Sequence, residues 1–113
     1  MHELALAQGV LDIVLSTAAG NNAVRVAGVK VIAGELTGTV PEALEMGFAA
    51  MAKGTIAENA HLVIQLVPAT GQCRDCGSTT GIDKYCFACK YCGSHAIEIV
   101  TGRELLVESV EVE

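Results

Sequence analysis

The sequence predicts an α+β fold: two helices packed on a small three-stranded sheet, with an inserted zinc-ribbon-like domain built around four cysteines. Two segments repeat apolar residues at helical spacing, and several segments are rich in β-branched residues. All five cysteines fall between residues 71 and 95, where aliphatic residues are few. Such a segment cannot bury a core of its own and must be held by something else.

The two predicted helices have recognisable ends. The first continues to about Ala19, where the run Gly-Asn-Asn at 20–22 suits a left-handed cap. The second starts near Thr39, which can cap it, with Pro41 in the first turn and Glu42 three residues after the cap. The apolar stripes consist of Leu4, Ala7, Leu11, Val14 and Ala18 in the first helix and of Leu44, Phe48 and Met51 in the second.

Strands are predicted on both sides of the cysteine-rich segment. Residues 23–36 and 61–67 precede it, and Pro68 closes the second of these. Residues 97–100 and 103–112 follow it, and we expect the last strand to return to the sheet of the body. The predicted domains are therefore an α/β domain of residues 1–69 plus 101–113 and a zinc-binding domain of residues 70–100.

Charge and hydropathy exclude several classes of function. The formal net charge is -6, from 13 acidic and 7 basic residues, which argues against binding to nucleic acid or to an anionic membrane. No apolar run approaches the roughly 20 residues that span a bilayer, and the first residues lack the features of a signal peptide. We therefore expect a cytoplasmic, reducing location, where clustered cysteines bind metal rather than form disulfides.

Four of the cysteines have the spacing of a tetrathiolate metal site. Cys73 and Cys76 form one C-x2-C pair, Cys89 and Cys92 form the other, and a glycine follows each pair. Two residues between thiolates let both sulfurs reach one ion from a tight turn, and the glycine tolerates the positive φ that such a turn requires. The spacing predicts a structural zinc site with no open position for catalysis.

Cys86 is the cysteine outside these two pairs. It lies three residues before Cys89, so Cys86 and Cys89 also have the C-x2-C spacing. No glycine follows Cys89, whereas one follows Cys92 as it follows Cys76. We therefore interpret Cys86 as a small apolar residue beside the site rather than as a ligand.

Two other functions would explain the cysteines. A zinc-ribbon module that binds nucleic acid or protein is one, although it predicts a basic face that this charge opposes. An iron electron-transfer site of rubredoxin type is the other, since it also uses two C-x2-C pairs. An enzyme is disfavoured, because the sequence contains no plausible catalytic triad and the metal has no vacant position.

The first three residues, Met1, His2 and Glu3, place an amine, an imidazole and a carboxylate together. We expect the methionine to be retained, because histidine is too large for the processing aminopeptidase. The α-amine has a pKa near 7.7 to 8.0, so it deprotonates easily, and with backbone amide nitrogens and imidazole it forms a donor set suited to nickel(II) or copper(II). From chemistry alone, solvated residues before a helix explain the triplet better.

The sequence as a whole resembles the HypA/HybF hydrogenase nickel-insertion proteins. The resemblance covers essentially the whole chain, and it rests on the N-terminal triplet combined with later motifs at the right spacings rather than on the cysteine pairs alone. The motifs are Met1-His2-Glu3-Leu4-Ala5-Leu6-Ala7, Gly34-Glu35-Leu36, Pro41-Glu42-Ala43-Leu44, Gly54-Thr55, Cys92-Gly93-Ser94 and Gly102-Arg103-Glu104-Leu105.

This resemblance implies a nickel metallochaperone rather than an enzyme, and it reverses the interpretation of the N-terminus. It implies that His2 is the principal Ni²⁺ ligand, completed by the Met1 amine and by the backbone at His2 and Glu3. It also implies that the Glu3 carboxylate contributes to the nickel site or to partner contact, and that the four paired cysteines bind Zn²⁺. The implied partners are the GTPase HypB, the large subunit of [NiFe]-hydrogenase and, in some bacteria, urease and its accessory proteins.

The sequence departs from some relatives directly after each cysteine pair. Those relatives place a histidine there, whereas this chain has Gly77 and Gly93, which puts a pH-responsive zinc site in doubt. His95 is a candidate for a hydrogen-bond donor to the metal site or an extra nickel ligand, but a plain surface histidine is the favoured interpretation. For His61, at the start of a predicted strand, we expect a structural role.

Overall fold

The computed structural model describes residues 2–83 and 87–113, without the side chains of residues 2 and 3. Its elements in chain order are α1 (His2–Gly20), β1 (Val26–Gly34), a 3-10 turn (Glu35–Thr37), α2 (Pro41–Ala52), β2 (His61–Val67), β3 (Thr70–Cys73), β4 (Thr79–Gly81), β5 (Ile97–Thr101) and β6 (Leu105–Val112). None of the helices in the described residues is long and apolar enough to cross a membrane.

The chain divides into two compact units. Unit 1 comprises Met1–Ile32, Thr39–Gln65 and Leu106–Glu113, and unit 2 comprises Ala33–Gly38 and Leu66–Leu105. The domains predicted from sequence, residues 1–69 plus 101–113 and residues 70–100, remain a prediction.

Unit 1 has the predicted α+β architecture. Strands β2, β1 and β6 form a three-stranded sheet with β1 in the centre, and helices α1 and α2 contact each other. Its core is entirely apolar and small-aliphatic apart from one phenylalanine, as the low aromatic content requires. The buried side chains are Ala7, Val10, Leu11, Val14, Ala18, Val26, Val29, Val31, Leu44, Phe48, Ala52 and Ala57.

Helix α1 ends as its sequence predicts but is buried over a shorter stripe. Asn22 has a φ of 55°, and the amides of Asn22 and Ala23 donate to the carbonyls of Ala19 and Ala18, which is the Schellman arrangement. Leu4, predicted to belong to the buried stripe, is 54% exposed. The stripe therefore starts one turn later, and the first turn of α1 extends beyond the core.

Helix α2 begins one residue later than predicted. Its N-cap is Val40 rather than Thr39, and Val40 makes no side-chain cap hydrogen bond. The reason is Pro41: its ring disfavours the α region for the residue before it, and Val40 is accordingly extended, with φ -100° and ψ 109°. Pro41 then occupies the first helical position, where its missing N–H costs nothing.

The end of the chain is fixed to the start of β1. Arg25 and Glu113 exchange backbone hydrogen bonds of 3.3 and 2.8 Å, as residues opposite each other in antiparallel strands do. Their side chains also form an ion pair, although both remain more than half exposed. The backbone pairing, which is independent of side chains, holds the terminus in place.

Substitution of Arg25 by alanine is therefore expected to lower the free energy of unfolding by less than about 1 kcal/mol, because exposed ion pairs contribute little. Urea denaturation of the variant, beside Lys30→Ala as a control that breaks the similarly exposed ion pair with Glu108, measures this. A loss above about 2 kcal/mol for Arg25→Ala alone would show that the side-chain pair anchors the terminus.

Unit 2 contains a second sheet, in which β3 lies between β4 and β5 and pairs antiparallel with both. Strand β5 was predicted from sequence, whereas β3 and β4 were not, because they are short and built mainly from threonine, glycine and glutamine. Gly71 lies in β3, where a Cβ would come within 2.4 Å of a methyl carbon of Ile97. The close approach of neighbouring strands therefore requires glycine there.

Candidate metal centre

The two cysteine pairs form turns with the same backbone hydrogen bonds. In the first turn, Gly77 donates to the carbonyl of Cys73 at 2.9 Å, and Cys73 donates to the carbonyl of Ser78 at 2.9 Å. In the second turn, Gly93 donates to Cys89 at 2.9 Å, and Cys89 donates to Ser94 at 2.8 Å. The chain therefore builds the same turn twice, from the repeated sequence Cys-x-x-Cys-Gly-Ser.

Glycine closes each turn for the reason predicted from sequence. Gly77 has a φ of 77° and Gly93 a φ of 76°, values in the left-handed region that other L-residues adopt only at a cost. Each turn returns the chain so that its amides point toward its own sulfurs. The amide of Tyr91, for example, donates to the sulfur of Cys89 at 3.4 Å.

The four sulfurs converge on one point. The Sγ atoms of Cys73 and Cys92 are 3.6 Å apart, as are those of Cys76 and Cys89, and all four lie within 4.8 Å of one another. A disulfide would require about 2.05 Å, whereas four sulfurs at about 2.3 Å from a tetrahedral zinc are about 3.8 Å apart. The arrangement fits a structural zinc site, with two sulfurs buried and two exposed.

Side chains also link one turn to the other. The hydroxyl of Ser94 donates to the carboxylate of Asp75 in the first turn and accepts from the amide of Ala96 at 3.1 Å. The guanidinium of Arg74 donates to Glu98 of β5 at 2.8 Å. These side-chain contacts connect the first turn to the second turn and to β5.

The electrostatics of the four thiols call for a cation. Hydrogen bonds from the amides of Cys76 and Asp75 lower the pKa of Cys73, and the hydroxyl and amide of Ser78 lower the pKa of Cys76 to about 6. At Cys92 the Ser94 amide acts in the same direction, but the other three sulfurs and burial outweigh it and raise the pKa to about 12. Four thiolates this close can all ionise only around a metal ion.

The remaining candidate residues are placed as follows. His61 and His95 are exposed, and within residues 2–83 and 87–113 neither joins a cluster of three or more metal-ligating side chains. Met1, the side chains of His2 and Glu3, and Cys86 lie outside the described residues. The nickel ligands and the bystander role of Cys86 thus stay predictions.

Sequence reasoning missed three residues of this centre. Ser78, Ser94 and Asp75 supply hydrogen bonds to the sulfurs or between the turns, whereas the residues predicted from sequence were only the cysteines and the glycines. The signal was present, because serine follows the glycine in both pairs. The repeated unit is the six residues Cys-x-x-Cys-Gly-Ser rather than the four residues Cys-x-x-Cys, and the longer repeat includes both serines.

Comparison with known proteins agrees with this architecture. The family described as HypA, "Hydrogenase/urease nickel incorporation, metallochaperone", matches residues 1–112. The chain is 42% identical to the hydrogenase maturation factor HypA of Desulfitobacterium hafniense, covering 100% of this chain and 99% of that protein. It is 40% identical to the factor of the same name from Geobacter sulfurreducens, with 100% of both covered.

A solved structure is similar in fold. The solution structure of the Ni metallochaperone HypA from Helicobacter pylori superposes with a TM-score of 0.67 at 20% identity, covering 97% of this chain and 96% of that one. The family match over residues 1–112 and the relatives at 40% and 42% identity show that the chain belongs to the HypA family of hydrogenase and urease nickel-incorporation metallochaperones.

Proposed function

We propose that this chain is a nickel metallochaperone that binds Ni²⁺ at its N-terminus and delivers it for the maturation of [NiFe]-hydrogenase, and of urease where that enzyme is the client. The observation that carries the proposal is the family match, which starts at residue 1 and therefore includes the triplet Met1-His2-Glu3. The chain acts as a carrier of the ion rather than as an enzyme.

The nickel ligands in this proposal are the Met1 amine, the His2 imidazole and the backbone amide nitrogens of His2 and Glu3. Helix α1 begins at His2, and the first four N–H groups of a helix have no partner within it. Those two nitrogens can therefore bind a metal without breaking a helical hydrogen bond. Four nitrogens in a plane suit nickel(II) better than zinc, and the carboxylate of Glu3 is available for a partner.

The second metal in this proposal is a resident zinc ion at Cys73, Cys76, Cys89 and Cys92. With four protein thiolates it has no position left for water, so its role is to hold unit 2 folded. The different donor sets separate the two metals, because soft thiolates select zinc and the nitrogen-rich terminus selects nickel. Cargo and structural ion need not compete for one site.

The partners in this proposal are the GTPase HypB and the large subunit of [NiFe]-hydrogenase, in the cytoplasm. A site at a chain terminus suits transfer between proteins, because its ligands can be withdrawn one at a time without opening a core. Nucleic acid is not expected as a partner, since acidic residues outnumber basic ones by 13 to 7.

The His2→Ala variant tests the proposal. We expect the wild-type chain to bind one Ni²⁺ with a dissociation constant of roughly 1 μM, about -8 kcal/mol, and the variant to show no stoichiometric binding by isothermal titration. Loss of the imidazole leaves too few nitrogen donors for a planar site.

Two matched controls accompany this measurement. His61→Ala and His95→Ala each remove a different imidazole and are expected to bind nickel as the wild type does. Zinc content and far-UV circular dichroism should be the same for all three variants. Nickel binding that survives in His2→Ala, or is lost in His95→Ala, would assign the site elsewhere.

A further inference from the structure

The two sheets have four edge strands among the described residues, and β2 differs from the other three. Soluble proteins prevent edge strands from pairing with other chains by short length, by charged side chains or by proline. Strand β4 has only three residues, β5 carries Glu98, and β6 carries Glu108 and Glu111. Strand β2 has seven residues and contains no Asp, Glu, Lys, Arg or Pro. It therefore lacks all three of these protections.

The outer edge of β2 is open within the described part of the chain. The strand lies at one end of its sheet and pairs with β1 on one side only. Among the backbone hydrogen bonds that turns and loops of the described residues make, none involves residues 61–67. A strand with one unpaired edge presents N–H and C=O groups to which another strand can bind.

The side chains of residues 61–65 alternate in exposure along this edge. His61, Val63 and Gln65 are exposed, and 44% of the Val63 surface is accessible. Leu62 and Ile64 are half-buried and pack against the core of unit 1. A strand placed beside β2 would bury the accessible parts of these two apolar side chains, which favours association.

We propose that the edge of β2 is a self-association surface, at which β2 of a second copy of this chain pairs antiparallel and joins the two three-stranded sheets into one. A two-fold axis makes such a contact self-complementary. With the axis at Val63, this residue lies opposite Val63 of the second copy. His61 then lies opposite Gln65 of the second copy, and Leu62 lies opposite Ile64.

Charge and side-chain pattern favour a second copy and this register. Each chain has a net charge of -6, so two copies repel each other wherever their carboxylates meet, and β2 carries no carboxylate. Pairing about Val63 matches apolar residues with apolar ones and polar residues with polar ones, as cross-strand pairs prefer. An axis one residue later would place Val63 opposite Gln65.

Sedimentation equilibrium of the zinc-loaded full-length protein tests the proposal. We expect a monomer–dimer equilibrium with a dissociation constant of about 10–100 μM, because a contact along five residues is small. The Val63→Lys variant places two ammonium groups opposite each other at the axis. It is expected to raise the dissociation constant at least about tenfold.

Leu106→Lys is the matched control. Leu106 lies in β6, the other edge strand of the same sheet, and is 48% exposed. The substitution changes the net charge as Val63→Lys does, and association should match that of the wild type. If net charge alone governed association, both variants would associate more tightly, because each lowers the repulsion between copies.

Disulfide trapping tests the register independently. Residues directly opposite each other in antiparallel strands have Cα atoms about 4.5–5.5 Å apart, within the range of about 4.4–6.8 Å that a disulfide spans. In a Cys86→Ala background, Val63→Cys is expected to form a covalent dimer on mild oxidation, visible on a non-reducing gel. Leu106→Cys in the same background, and the background alone, should remain monomeric on that gel.

The outcomes separate this inference from the proposed function. A wild type that stays monomeric at about 1 mM contradicts self-association and leaves the edge to a strand of a different protein. A dimer that survives Val63→Lys, is lost in Leu106→Lys or is not trapped by Val63→Cys also contradicts it. Nickel titration and zinc content should be the same for the wild type and Val63→Lys, because neither metal site lies in β2.

Discussion

Replacing Cys73 with serine is expected to abolish zinc binding and to unfold unit 2. Cys73 is buried, and its sulfur lies 3.6 Å from that of Cys92, so a hydroxyl cannot take its place as a thiolate ligand. Binding of a structural zinc contributes about 10–16 kcal/mol of folding free energy. The buried apolar residues of unit 2 within the described chain are only Ala33, Ala69, Cys73, Ile82 and Cys89.

That short set explains the size of the effect. Two of its five members are predicted zinc ligands and two are alanines, so within the described residues a single isoleucine is the only large aliphatic side chain of the set. Burying it contributes about 1.5–3 kcal/mol, far less than the cost of ordering roughly forty residues. The metal must supply the difference.

Zinc content by elemental analysis, with hydrogen exchange of peptides from both units, measures this outcome. We expect loss of the metal and loss of protection in residues 66–105, with the helices of unit 1 still protected. Cys86→Ser is the matched control and should retain one zinc. Removal of zinc from the wild type by EDTA should reproduce the Cys73→Ser result, and retention of a full equivalent by Cys73→Ser would contradict it. Iron in place of zinc would indicate an electron-transfer protein.

Much of this architecture could be predicted from residue patterns. Helical spacing located both helices, and β-branched runs located β1, β2, β5 and β6, because those segments bury one face in unit 1 or pair regularly. The four cysteines converge as their spacing predicts, since two residues and a glycine are enough to define each turn. These elements could be predicted because residues close in sequence are enough to determine each of them.

The predictions failed where residues outside the local pattern determine the structure. Thr39 looked like a helix cap, but the proline two residues later forced Val40 into that position. Strands β3 and β4 carry no apolar periodicity, because antiparallel pairing with neighbouring strands rather than a large apolar core holds them. The hydroxyl of Ser94 bonds to a residue 19 positions earlier, which no spacing rule could have revealed.

Gly34 and Gly102 show how motifs that contain no predicted metal ligand can be required by packing alone. Both belong to segments that carried the family resemblance, and within unit 2 their backbones are in contact. The amide of Gly34 donates to the carbonyl of Glu104 at 2.6 Å, and the amide of Leu36 donates to that of Gly102 at 2.7 Å. A Cβ on Gly34 would lie 2.1 Å from the carbonyl carbon and oxygen of Gly102.

Substitution of Gly34 by alanine is therefore expected to lower the free energy of unfolding by about 3 kcal/mol or more. The obstacle is backbone rather than a flexible side chain, so the methyl group can fit only if the two segments separate and both hydrogen bonds lengthen. The backbone angles of Gly34, φ -77° and ψ 150°, are open to any residue, so the effect is one of contact and not of conformation.

Gly9→Ala is the matched control, because it makes the same chemical change with the opposite expected sign. A Cβ at Gly9, inside α1, meets no atom within 4 Å, and alanine is favoured over glycine in a helix by about 1 kcal/mol. Thermal and urea unfolding of the two variants should move in opposite directions from the wild type. Equal stability of Gly34→Ala and the wild type would mean that the two glycine segments can separate freely, and would contradict a packing role for Gly34.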